Sequence, residues 1–217
     1  MKQYIIGLLI ICTLLFSCER KEVSSVAEYS KWINNPANGL IATRKINGLQ
    51  ISVKYLPAEY LEYKDIQEDE DSKKQVDDIK KEYKNSITFL MTIGPDEEKG
   101  NKNDIMFDRI KNYKEYSERL LSLNFAISDN IQLKAGDVIL KPVLSALENT
   151  YGLSKNRNIV FAFAPSETEK QLIESCSELD FTYADELFQL GYMHFTFKEN
   201  NFKKLPTINQ CEKINKI

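Results

Sequence analysis

The sequence is poor in the side chains that build most metal and catalytic centres. Among its 217 residues there is one histidine, His194, and there are four cysteines. Because zinc sites take their ligands from closely spaced cysteines and histidines, this inventory excludes a zinc centre. The chain also lacks the glycine patterns of phosphate-binding and dinucleotide-binding loops and the Gly-x-Ser-x-Gly turn of serine hydrolases. We therefore predict no cofactor, no metal ion and no nucleophile activated by a histidine base.

An excess of charge of one sign is also missing. Lysine and arginine together number 29 and aspartate and glutamate 32, and the two signs are mixed along the chain. A protein that binds nucleic acid through its phosphates needs a basic face, so nucleic acid is not a predicted partner. Hydrophobic residues make up 42% of the chain and aromatic residues 11%, which is enough for a folded core.

A short apolar run begins near Met1 and ends at a cysteine. Lys2 precedes the run, which covers residues 4–16 and is followed by Ser17 and Cys18. A membrane-spanning helix needs roughly 20 apolar residues, so the run is too short to span a membrane. Its length is that of a secretory signal core, and charged residues begin directly after the cysteine. We expect residues 1–17 to be removed as a signal peptide.

The stretch Leu15-Phe16-Ser17-Cys18 resembles the lipobox of bacterial lipoproteins. In that family acyl chains such as palmitate are attached at the cysteine, and the chain is cut just before it. The resemblance implies that Cys18 is lipidated and that residues 18–30 form a tether. It also implies a protein held in the cell envelope by its acyl chains, at the outer membrane of a Gram-negative bacterium. The resemblance covers the N-terminal segment alone and assigns the mature domain to no family.

Two cysteines remain beyond the lipidation site, Cys176 and Cys211. An exported domain meets an oxidising compartment, so one interpretation is a disulfide between them. In the chain-entropy model such a bridge stabilises the fold by about 3–4 kcal/mol. The other interpretation makes Cys176 a small buried apolar residue and Cys211 a free thiol near the C-terminus. A single pair of cysteines carries no spacing signature, so both interpretations stay open.

β-prone runs dominate the chain from residue 31 onward, and we predict a single domain over residues 31–217. Asn47-Gly48 separates two such runs and predicts a type I′ hairpin, because both turn residues tolerate positive φ. A continuous apolar run predicts a buried strand near residue 90. The predicted strands cover residues 40–46, 49–56, 87–93, 127–133, 138–147, 158–164, 181–183 and 191–198.

Three segments have helical patterns. The clearest covers residues 104–124 with Asp104 as N-cap, a shorter one covers 167–176, and a charged one covers 67–85. The acidic start of the charged segment lacks the spacing and central glycine of a calcium-binding loop, so no calcium site is predicted. We predict an α+β domain in which two or three helices lie on one side of a mostly antiparallel sheet. The alternative is a β-sandwich or open barrel with the 104–124 helix as decoration.

The candidate functional side chains each have a structural interpretation that we favour. A lone strand histidine such as His194 is more often a half-buried packing or hydrogen-bonding residue than a base. Asp185 and Glu186 lie side by side between two predicted strands. They are either a carboxylate pair of a hydrolase or, as we favour, part of a turn.

Four aromatic residues near the start of the domain form a second candidate. Trp32, Tyr55, Tyr60 and Tyr63 could build a platform for a glycan or peptide, or cap a hydrophobic core, which we favour. We therefore predict a non-enzymatic binding or scaffolding domain, lipid-anchored, with a protein or glycan partner. The alternatives are an immunity or inhibitor lipoprotein that neutralises a protein toxin, and a carboxylate-dependent hydrolase of envelope polymers.

Overall fold

The computed structural model describes residues 22–68 and 83–208. These residues form eleven strands and five helices. The strands are β1 Glu22–Val23, β2 Ile41–Ile46, β3 Leu49–Leu56, β4 Ile87–Pro95, β5 Ile131–Ala135, β6 Val138–Leu140, β7 Leu144–Leu147, β8 Arg157–Phe163, β9 Glu178–Asp185, β10 Gly191–Lys198 and β11 Thr207–Ile208. The helices are α1 Val26–Ile33, α2 Ala58–Glu68, α3 Tyr113–Leu121, α4 Glu167–Glu174 and α5 Glu199–Phe202. Among the described helices, none has the length and apolar character needed to cross a bilayer.

Most strands belong to two open antiparallel sheets. The five-stranded sheet has the order β2-β3-β4-β8-β7, and the four-stranded sheet has the order β10-β9-β5-β6. β1 and β11 form a separate parallel pair. The predicted α+β class with mostly antiparallel strands is confirmed. The structure adds that the strands divide between two sheets, and that the described residues hold more helices than the two or three predicted.

The two sheets face each other across an aromatic core. In β10 every second residue is buried, with Met193 at 3% exposure and Phe195 and Phe197 at 1%, which is the period of a strand with one wet face. The ring of Phe89 in β4 lies 5.3 Å from that of Phe181 in β9 and 5.2 Å from that of Phe197. Full burial of each such ring contributes about 1.5–3 kcal/mol, so these contacts hold the sheets together.

The predicted hairpin at Asn47-Gly48 is confirmed. Both residues have positive φ, 51° and 80°, and Ile46 pairs with Leu49 on either side of them. Positive φ is costly for most side chains and inexpensive for Asn and Gly, so this dipeptide sets the register of β2 against β3.

The long predicted helix begins later than expected. Its N-cap is Asn112, whose side chain accepts a hydrogen bond from the backbone of Glu115 at 3.0 Å. Asp104, the predicted N-cap, instead caps a turn by accepting from the Met106 backbone at 2.8 Å. Its second oxygen lies 2.8 Å from the guanidinium of Arg157. The prediction of a helix starting at Asp104 is therefore wrong, because a distant arginine holds that carboxylate in a non-helical segment.

One predicted strand is split in two. The run 138–147 breaks at Lys141-Pro142, so that β6 lies in the four-stranded sheet and β7 in the five-stranded sheet. Proline has no amide hydrogen for a strand ladder, which favours a break at this position. The predicted strand at 127–133 also starts late, because residues 127–130 form a 3₁₀ turn and β5 begins at Ile131.

Folded structure begins within the segment predicted as a tether. Val23 in β1 is 1% exposed, and α1 starts at Val26 with the Ser25 hydroxyl as its N-cap. Tyr29 and Ile33, four residues apart on one helix face, are both fully buried. The predicted tether over 18–30 is thus corrected, and folding begins before the predicted domain start at residue 31. Most of the predicted charged helix, residues 69–82, lies outside the described residues.

A second, smaller core lies beside the first. It joins α1, α2, the end of β3 and the C-terminal segment, with Val23, Tyr29, Ile33, Leu40, Leu56 and Ile208 as its buried members. Leu90, on the face of β4 opposite to Phe89, packs against it. This small core therefore covers the outer face of the five-stranded sheet near the end where β3 finishes.

Candidate functional site

His194 forms an exposed pair with a carboxylate. Its side chain is 54% exposed on the outer face of the four-stranded sheet, and Nδ1 lies 2.6 Å from Oδ2 of Asp180 in β9. The ring of Tyr192 contacts the imidazole edge-on at 5.0 Å. The predicted hydrogen-bonding role agrees with this geometry, but the predicted half-buried position does not.

An Asp–His pair is the base of a catalytic triad only when a nucleophile lies beside it. Among the hydrogen bonds of the described residues, His194 has none to a serine, threonine or cysteine side chain. The remaining contact at this residue is structural, because its backbone oxygen accepts from Nε of Arg44 in β2 at 3.1 Å. That bond joins the edge of one sheet to the edge of the other.

Asp185 serves the turn between β9 and β10. It is 5% exposed and accepts hydrogen bonds from the Tyr183 hydroxyl at 2.6 Å and from the backbone amides of Leu187, Phe188 and Leu190. Burial, reinforced by this neighbouring carboxylate, raises the pKa of Tyr183 well above its ordinary value. With its oxygens held by four donors, Asp185 is a turn residue, as favoured, while its neighbour Glu186 is exposed.

The four aromatic residues singled out in the sequence pack against the second core. Trp32, Tyr55, Tyr60 and Tyr63 are all partly buried there, which agrees with the favoured interpretation that they cap a core. Tyr55 also lines a concave pocket, which was not predicted from the sequence.

We call this concavity the aromatic pocket. It measures about 220 Å³ and lies where β3 ends and α2 begins. Its lining consists of Tyr29, Tyr55, Pro57, Ala58, Glu59, Phe202, Leu205 and Pro206. The rings of Tyr55 and Phe202 contact each other edge-on at 4.8 Å. Burial raises the pKa of Tyr55 to about 12, so its phenol is neutral at physiological pH.

A second surface feature is an unusual concentration of exposed apolar side chains. Among the described residues twelve large hydrophobic side chains are exposed, and ten of them lie between residues 107 and 153. The two most exposed are Leu153 at 91% and Tyr151 at 83%, both in the loop between β7 and β8. Large contiguous apolar patches are rare on soluble monomers and mark interaction sites.

Contacts between elements link the segments that carry several of these side chains. The turn at residues 122–126 contacts β7, and the backbone of Ile105 donates to the Lys155 carbonyl at 3.2 Å. The rings of Phe107 and Tyr116 stack at 5.4 Å. We call this surface the β7 face, and its exposed members are Phe107, Tyr113, Leu121, Phe125, Leu144, Tyr151 and Leu153.

The sites predicted on cysteines are only partly within the described chain. Cys176 is partly buried, and its thiol donates to the Leu172 carbonyl at 3.2 Å. Cys18 and Cys211 lie outside the described residues, so lipidation and the disulfide stay predictions. Within residues 22–68 and 83–208, no three histidine, cysteine or acidic side chains converge as a metal site.

Comparisons with known proteins leave the family open. No family model matches the chain, and no curated protein matches it. One solved structure, described as a novel protein of unknown function from Burkholderia pseudomallei K96243, is similar with a TM-score of 0.40 and 9% sequence identity. The similarity covers 82% of this chain and 88% of that one. At this level it carries no argument about function.

Proposed function

We propose that the chain is a lipid-anchored protein of the cell envelope whose domain binds a protein partner through the β7 face. The observation that carries this proposal is the exposure of Tyr151 and Leu153 on one loop. Side chains of this size gain about 1.5–3 kcal/mol each when they are fully buried. Burial of these side chains by a partner adds that free energy to the stability of the complex, whereas in the isolated domain they remain in contact with water.

The chemistry of the β7 face favours a protein over a glycan. Leu121, Leu144 and Leu153 are aliphatic and offer no hydrogen bonds to sugar hydroxyls. Protein interfaces, in contrast, have apolar centres enriched in aromatic side chains, and Phe125 and Tyr151 supply these. The proposed role is binding rather than catalysis, because His194 and Asp185 have structural partners in the described chain.

The location of β1, which follows the proposed anchor at Cys18, supports a partner that binds at the opposite end of the domain. Val23 packs with Leu56 in the second core, and Leu56 pairs with Thr88 near the start of β4. The loop with the two most exposed side chains enters β8 at Arg157, which pairs with Ile93. Five residue steps along β4 separate these levels, about 17 Å in an antiparallel strand. The loop and the first described strand, β1, therefore lie toward opposite ends of the sheet.

The test is site-specific photo-crosslinking of the full chain in cells. A photoreactive amino acid at the position of Leu153 should give an adduct with a protein. The adduct should disappear when Tyr151→Glu is added on the same face, and persist with Leu172→Glu, which changes an exposed leucine on α4. An adduct that survives Tyr151→Glu, or equal labelling from the position of Leu172, would show that the β7 face is not the binding surface.

A further inference from the structure

The aromatic pocket has the composition of a cation site. Two partly buried rings line it, from Tyr55 and Phe202, together with the carboxylate of Glu59, while the third ring of the lining, that of Tyr29, is fully buried. The face of an aromatic ring attracts a cation within about 6 Å of its centre, and a carboxylate adds a full negative charge. Among the described residues that line it there is no lysine or arginine to neutralise that charge. Its remaining members are apolar, so a cation with an apolar surface fits it better than a bare metal ion.

The pocket's size limits what it can hold. Its volume of about 220 Å³ is well above the ~10–15 Å³ that a cavity needs to hold one water molecule. That space suits a choline or ethanolamine group and is too small for a whole acyl chain. Aromatic residues that surround a substituted ammonium group are a recurrent mode of recognition, since the rings contact the alkyl groups while the carboxylate meets the charge.

The pocket also lies close to β1, the first described strand. Oε1 of Glu59 accepts a hydrogen bond from the backbone of Ile208 at 3.1 Å, and Ile208 pairs with Val23 in β1. Four residue steps separate Cys18 from Glu22, at most ~14 Å of extended chain. If Cys18 carries the acyl chains, a premise taken from the proposed function, this reach keeps the pocket near the lipid headgroups.

We propose that the aromatic pocket binds a substituted ammonium group, and that its source is the headgroup of a lipid in the anchoring membrane. Glu59 supplies the negative charge, and Phe202 and Tyr55 supply the aromatic part of the lining. The pocket would then add a headgroup-specific contact to the membrane attachment, which acyl chains alone cannot provide because they insert into any bilayer.

The first arm of the test uses a soluble probe. The full chain in detergent micelles is titrated calorimetrically with choline and with ethanolamine at constant ionic strength. We expect saturable binding that weakens at least tenfold in Glu59→Gln and in Phe202→Leu. Glutamine still accepts the Ile208 hydrogen bond, so equal thermal midpoints are expected and verify folding. The matched control Glu174→Gln, on an exposed acid of α4, should leave binding unchanged.

The second arm identifies the source of the ammonium group. The chain is reconstituted in vesicles of phosphatidylglycerol with or without phosphatidylethanolamine, and exchange of backbone hydrogens is measured around Tyr55 and Glu59. Slower exchange only with phosphatidylethanolamine, lost in Glu59→Gln, supports the lipid source. Choline binding without any effect of the lipid would overturn that source and assign the pocket to a soluble ammonium compound.

The two hypotheses can fail separately. Absence of saturable binding in the first arm, or equal weakening by Glu174→Gln, overturns the pocket proposal even if Cys18 incorporates labelled fatty acid. Choline binding retained in a chain that carries no acyl label would instead overturn the anchor, and with it the membrane source, while supporting the ammonium chemistry of the pocket.

Discussion

Nδ1 of His194 and Oδ2 of Asp180 lie 2.6 Å apart on an open sheet face. The pair links the neighbouring strands β10 and β9, with the imidazole 54% exposed and the Asp180 side chain 22% exposed. Exposed ion pairs contribute about 0–1 kcal/mol, because water screens the charges and two side chains lose freedom. The geometry thus suits a local cross-strand contact.

We predict that His194→Gln lowers the free energy of unfolding by less than about 1 kcal/mol. Denaturant unfolding of the variant and of Asp180→Asn measures this, and binding to the crosslinked partner should persist in both. A folded His194→Gln chain with an unchanged midpoint and no partner binding would contradict the structural role and reopen the question of catalysis.

Two adjacent acids should differ sharply in their contribution to stability. Asp185→Ala removes the acceptor of four donors in a buried turn, which costs about 3 kcal/mol because the amides of Phe188 and Leu190 lose their partner. Glu186 is exposed, so Glu186→Ala should change stability by about 0.5 kcal/mol or less. Equal losses in thermal or denaturant unfolding would refute the assignment of Asp185 as the turn-holding residue.

Local sequence signals predicted the elements whose structure depends on neighbours along the chain. Asn47-Gly48 fixed its hairpin through backbone preference, and the alternation around Phe195 gave β10 its bounds. Asp104 was misassigned because its partner Arg157 is far away in sequence. Pro142 separates β6 from β7, but no local sequence pattern predicts that β6 joins the four-stranded sheet and β7 the five-stranded sheet.

The candidate sites show the same limit. Tyr55 was singled out in the sequence, but Tyr29 and Phe202, which join it in the aromatic pocket, come from α1 and α5. Leu205 and Pro206, which also line the pocket, come from the C-terminal segment that pairs with β1 through β11. The sequence signal was the group of aromatic residues near the start of the domain, and this does not distinguish a pocket from a core. The β7 face could not be predicted from the sequence, since residue type alone does not distinguish an exposed leucine from a buried one.

Stability should fall at high pH because of buried tyrosines. The pKa of Tyr55 is about 12 in the folded chain against 10.0 for an ordinary tyrosine, owing to burial. As pH rises through about 10 the unfolded chain therefore loses this proton first, and the free energy of unfolding decreases until about pH 12. Below about pH 10 the contribution of the neutral Tyr55 side chain to the free energy of unfolding is fully present. Tyr55→Phe should reduce the slope of unfolding free energy against pH between 10 and 12, measured by denaturant unfolding at a series of pH values.

The anchor itself can be tested on two cysteines of the N-terminal segment. Cys18 ends the apolar run, and Cys12 lies inside it. If Cys18 carries the acyl chains, Cys18→Ala should abolish incorporation of labelled fatty acid and block cleavage by the lipoprotein signal peptidase. Cys12→Ala keeps the run apolar and should retain both label and cleavage. Each buried methylene contributes about 0.8 kcal/mol, so two or more acyl chains make release from the membrane negligible. A Cys18→Ala chain that is still cleaved should move to the soluble fraction, whereas an uncleaved chain is held by its apolar run. Label that persists on the Cys18→Ala chain would refute the lipobox assignment and the membrane proximity of the aromatic pocket together.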